Sequence, residues 1–147
     1  MPVSNADEIP DASIEYKLLF EVVSNNADSL AKEYNDALVE AVRVLNLHAA
    51  AGIPAKKLHV VIVIHGPALD AIKNNTAYQN KYKMDNPNIP LITSLEKLGA
   101  KFIACDQAMT FLDVAKEDLL PSVKISLTAQ TVLTQYQLKG YVLKRLF

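Results

Sequence analysis

Five β-branched residues in succession, Val60-Val61-Ile62-Val63-Ile64, constrain this chain more than any other feature. Such side chains are stiff at χ1 and poor in helices, so the run predicts a strand from Leu58 to His65. A strand that is apolar at every position, rather than at every second one, must be covered on both faces. That is the pattern of a central strand in a parallel sheet, which in turn needs helical crossovers. The strand ends at His65-Gly66-Pro67-Ala68, where Gly66 permits a tight turn and Pro67 can open a helical segment from Ala68 to about Lys73.

The flanking chain supplies the crossovers. Tyr16 to Val23 is nearly continuously apolar after Lys17 and reads as a first strand, broken by Ser24-Asn25-Asn26. A long helix is predicted from about Asp28 to Ala51, with Leu30, Tyr34, Ala37, Leu38, Ala41, Val42 and Leu45 on one stripe. Asn26 or Asp28 can cap its start, and Gly52 and Pro54 end it. Asn74 to Asn88 is polar and carries Tyr78 and Tyr82 at i, i+4, the spacing of one helical turn. Asn86-Pro87-Asn88-Ile89-Pro90 is a rigid connector, and Pro90 starts a helix with Leu91, Ile92, Leu95 and Leu98 on one face, stopped by Gly99.

A third strand, Phe102-Ile103-Ala104, runs into Cys105 and then at once into polar Asp106 and Gln107. Gln107 to Phe111 reads as a helical turn, Lys116 to Pro121 as an exposed turn, and Val123 to Ser126 as a fourth strand. A helix over Thr128 to about Lys139, with Ala129, Val132, Leu133 and Tyr136 inward, ends at Gly140 before a last strand, Tyr141 to Leu146. Strands alternating with helices imply right-handed crossovers. The fold class expected is therefore α/β: a three-layer, single-domain sandwich with a mainly parallel sheet of about five strands and helices on both faces. Residues 1–14 read as a loose arm and 15–147 as the domain.

Composition narrows the function. At 147 residues, half apolar and 21% charged, the chain suits one globular domain. A net charge of −1 argues against nucleic acid or an anionic membrane surface as the main partner. No apolar run approaches the roughly 18 residues of a membrane span, and the polar start has no signal-peptide core. The expectation is a cytoplasmic protein, or a periplasmic one if this is a processed form. There is no GxGxxG or Walker pattern, so no nucleotide cofactor is expected. The three histidines lack metal-ligand spacing, so no metal is expected either.

What remains is the single cysteine, which excludes an internal disulfide. A residue at the carboxyl end of a parallel strand lies where open α/β sheets keep their reactive groups. Cys105 there is a candidate nucleophile or sulfur carrier, with the amides of the following helical turn aimed towards it. The competing reading is a buried structural cysteine, a common fate for this residue type. His65 ends the central strand at the same edge and is a candidate partner, or else a histidine that bonds nearby backbone. Gly66 and Gln107 would shape the pocket between the two strand ends. Tyr78 could contribute a lid or subunit contact. Asp106 adds a negative charge beside the thiol, or serves as the cap of the next turn. His48 suits the negative end of the first helix.

The segments IVIHGPAL, NKYKMDNPNIPLITSLEKLGAKFIACDQAM and KEDLLPSVKISLTAQTVLTQYQLKGYVL resemble the DsrE/DsrF-like family, and within it the single-domain, YchN-like branch. RVLNLHAAAGIP resembles that branch too, so the likeness runs from about Tyr16 to the end. The resemblance implies a parallel-rich α/β fold and assembly as trimers or hexamers. It also implies that some members carry sulfur as a persulfide on a cysteine that Cys105 matches, passing it between donor and acceptor proteins. The branch commonly has Cys-Gly-Gln where this chain has Cys105-Asp106-Gln107. Aspartate crowds a turn that glycine leaves open. Two functions follow as expectations: a sulfur-relay protein of the sulfurtransferase type, or a non-catalytic, homo-oligomeric module that binds a small molecule.

Overall fold

The computed structural model describes residues 5–25 and 32–146. Five strands form one sheet in the order β4-β3-β2-β1-β5, with every neighbouring pair parallel. They are β1 (Tyr16–Val22), β2 (Leu58–Ile64), β3 (Lys101–Cys105), β4 (Lys124–Ser126) and β5 (Val142–Leu146). β2, with its β-branched run, lies at the centre, and Val60 to Ile64 are all buried. The expected α/β sandwich is thus the observed one.

Connection handedness decides where the helices go. The chain steps from β1 to β2 to β3 in one direction, so right-handed crossovers place α1 (Asp36–Ala50) and α3 (Ile89–Lys97) on one face. A 3₁₀ segment, Gly66–Ile72, packs its Ala68, Leu69, Ala71 and Ile72 into the same layer. The last crossover runs back from β4 at one edge to β5 at the other, so α5 (Ala129–Leu138) covers the opposite face. The core is accordingly double and unequal. Leu18, Phe20, Ile62, Ile64 and Phe102 pack under α1 and α3, while Leu19, Val61, Val63, Ile103 and Cys105 pack under α5 with Val132 and Leu133.

The first helix corrects the expectation. It begins at Asp36 rather than near Asp28, and Tyr34, expected on its buried stripe, precedes it and is exposed. The true cap is Asn35, whose side-chain oxygen accepts from the Ala37 and Leu38 amides at 3.0 and 3.2 Å. The expected caps Asn26 and Asp28, and the stripe residue Leu30, lie outside the described residues. Among the described residues no helix is long and apolar enough to cross a membrane.

Candidate functional site

Register brings two strand ends together. Ile64 of β2 is aligned with Ala104 of β3, and the next residue of each strand is His65 and Cys105. By the strand period, both belong to the face that α5 covers. Gly66 then turns the chain with φ +63°, a conformation that L side chains rarely adopt, and an added Cβ would lie 3.3 Å from Val23 Cγ1. The His65 amide donates to Val22 O at 3.1 Å and the Ala68 amide to Val23 O at 3.0 Å, which ties the turn to the end of β1.

His65, Gly66, Cys105 and Gln107 line one cleft of about 340 Å³, walled by Ala108 and Phe111 and by Ala129 and Gln130 of α5. Three of the pocket residues expected around Cys105 are therefore brought together with it. Tyr78 is not among them. It is buried on α2 (Asn75–Tyr82), its ring 4.5 Å from that of Tyr82, where burial, Tyr82 and Asp70 push its phenol up to about 12. A phenol so placed stays neutral and serves packing.

Cys105 is 4% exposed and faces solvent where it lines the cleft. Cys105 also caps α4 (Asp106–Phe111): its Sγ accepts from the Ala108 amide at 3.4 Å. The cap expected of Asp106 therefore belongs to the cysteine. Asp106 stands exposed in the first turn of α4. The Gln107 amide bonds Leu127 O at 3.3 Å, and Ser126 Oγ bonds Ala104 O at 3.0 Å, so β3 and β4 stay joined where the cleft begins.

A further residue was not anticipated. Glu21 lies in β1, aligned with Val63 on one side and Arg145 of β5 on the other, and only 7% of it is exposed. Its Oε1 lies 3.4 Å from His65 Nε2. Its Oε2 lies 3.4 Å from Arg145 Nε yet accepts no hydrogen bond. The sequence carried a signal for it, a lone carboxylate in the buried run Leu18 to Val22, which is otherwise apolar. His48, by contrast, is structural: Nδ1 meets Val44 O at 2.8 Å and the ring packs edge-on to Tyr16. Among the described residues no cluster of three or more His, Cys, Asp or Glu could hold a metal ion.

Fold and cleft together define an α/β protein with a cysteine at the carboxyl edge of a parallel sheet. The DsrE/DsrF-like family profile matches residues 20–144, most of the chain, and the protein belongs to that family. The protein of unknown function MTH1491 from Methanobacterium thermoautotrophicum shares the fold, with a TM-score of 0.63 at 17% identity over 89% of this chain and 99% of its own. No curated protein matches the chain.

Proposed function

We propose that the protein carries sulfane sulfur as a persulfide on Cys105, taking it from a donor protein and passing it to an acceptor. Family membership is compatible with a sulfur-relay role. The observation that carries the reading is that the sole cysteine ends a strand in a cleft also lined by His65 and Gln107. A cleft of about 340 Å³ has room for a small sulfur donor beside the cysteine. The Ala108 amide on Sγ gives the sulfur a donor that strengthens whenever it bears negative charge. Gly66 forms part of the opposite wall, in a turn whose positive φ L side chains rarely adopt. The test is incubation with a small persulfide, read by intact mass. Wild type should gain the mass of one sulfur atom and Cys105→Ser none; equal gain by both, or none by wild type, ends the proposal.

A second reading has its own support. A cysteine 4% exposed, its sulfur engaged as a helix cap, fits a non-catalytic module whose cleft binds a small molecule without turnover. Native-state alkylation separates the two: a thiol that reacts at a rate near that of a free cysteine favours the relay, and one that stays inert until unfolding favours the module. In either case we infer a homo-oligomer, a trimer or hexamer. Phe111, Leu127 and Leu138 are each at least 80% exposed, and apolar side chains of that size are commonly covered by another subunit.

A further inference from the structure

The buried carboxylate of Glu21 needs a reason to be there. Its buried neighbours on that face, Leu19 and Val63, are apolar, and a carboxylate taken out of water without full hydrogen bonding is costly. Its surroundings do not repay that cost as packing would. Arg145 is 61% exposed in side chain and lies at 3.4 Å without hydrogen-bond geometry, so solvent weakens that pair. The other oxygen is committed to His65, whose side chain is 22% exposed and lines the cleft.

We infer that Glu21 is a positioning residue for His65, orienting its ring and stabilising its imidazolium while His65 shuttles the Cys105 proton. The inference rests on reading Cys105 as the sulfur carrier. The step balances without an oxidant or reductant. His65 takes the Cys105 proton, and the thiolate attacks the outer sulfur of a donor persulfide, R–S–SH. The new S–S bond forms on Cys105 as the donor's own S–S bond breaks. The donor leaves as R–S⁻ and takes the proton back from His65, so Cys–SH and R–S–SH become Cys–S–SH and R–SH. Glu21 neither gives nor takes a proton in this step. With Nε2 held by Glu21, Nδ1 is the ring nitrogen left for the proton transfer.

The charged neighbours are few. Arg145 faces Glu21 from β5, Asp106 follows Cys105 on α4, and α5 carries no Lys, Arg, Asp or Glu between Ala129 and Leu138. A change in the pH dependence of Cys105 chemistry on altering Glu21 would therefore report on the His65 pair.

The experiment measures iodoacetamide alkylation of native Cys105 against pH in wild type, Glu21→Gln, His65→Gln and the double variant, with persulfide uptake followed in parallel. Each single variant should slow alkylation by about tenfold and alter the pH profile in the same way, and the double should be no slower than the slower single. A Glu21→Gln protein that matches wild type at every pH, or a double variant that loses the product of both effects, overturns the inference. If Glu21→Gln fails to fold, Glu21→Asp decides. It keeps the buried charge but withdraws it by one methylene, so it should be slow, and a wild-type rate overturns the inference. The two proposals fail separately. Wild type that takes up no sulfur but shows the coupled alkylation loses the relay and keeps the pair. Wild type that takes up sulfur, with Glu21→Gln equally fast, keeps the relay and loses the pair.

Discussion

Four donors meet on the Asp70 carboxylate. Lys73 Nζ lies 2.8 Å from Oδ1, while Lys81 Nζ at 2.7 Å, the Tyr82 hydroxyl and, at 3.4 Å, Asn25 Nδ2 reach Oδ2. Burial raises the carboxyl, but the bonds from Lys73, Lys81 and Tyr82 outweigh it, and Asp70 titrates below its ordinary 3.8. A carboxylate lowered on folding stabilises the protein above its unfolded value and ceases to do so as pH falls through its folded one. Asp70→Asn should therefore cost about 1–3 kcal/mol at neutral pH. The gap to wild type should close as pH falls below 3.8, measured as urea midpoints across that range. Gly66→Ala should also destabilise, by about 1–2 kcal/mol, since it needs both a positive φ and room beside Val23. Thermal melts of the variant check this. The tyrosine pair and the Gly66 turn were legible as i, i+4 spacing and as a glycine after a strand. Asp70 and Glu21 were not, because a carboxylate's role depends on which groups fold against it from distant segments.

At the scale of elements, the connector around Asn86-Pro87-Asn88 does more than join α2 to α3. Asn86 and Asn88 are buried. Asn86 Nδ2 donates to Ala71 O and Lys73 O at 2.9 and 2.7 Å, and its Oδ1 accepts the Asn88 amide at 2.9 Å. Asn88 Oδ1 in turn accepts the Asn35 amide at 2.6 Å, at the start of α1. That bond explains why α1 begins at Asp36 although apolar periodicity continues upstream. Asn35 is held by Asn88 and by Ser24 O, to which its own Nδ2 donates at 3.1 Å, and so it caps where it stands. Asn88→Ala should cost about 1–3 kcal/mol, because it leaves a buried amide unpaired. Asn35→Ala should cost about 1 kcal/mol through the cap. Chemical unfolding of both variants checks the ranking. The stop of the helix was readable from Gly52 and Pro54, which act locally; its start was not, since its determinant is more than fifty residues away in sequence.

For the molecule as a whole, the two sheet faces carry unequal cover: α1, α3 and the 3₁₀ segment on one side, α5 on the other. The exposed Leu138 lies on α5 itself, and the exposed Phe111 borders the cleft. If these side chains are subunit contacts, Leu138→Glu should shift sedimentation from oligomer towards monomer with little change in the far-ultraviolet spectrum. A monomeric wild type at micromolar concentration would remove the basis for that expectation. Strand identity, the parallel arrangement and most of each helix stripe followed from the chain alone, because alternation, β-branching and glycine or proline breaks act through immediate neighbours and a burial pattern; Tyr34 and Leu98, expected on stripes, lie just outside their helices and are exposed. That His65 and Cys105 end neighbouring strands at one edge was readable from the chain; that Glu21 of β1 reaches His65 came only from the fold. Adjacent strands are selected by crossover handedness and by burial across the whole sheet, forces that no local stretch of sequence carries.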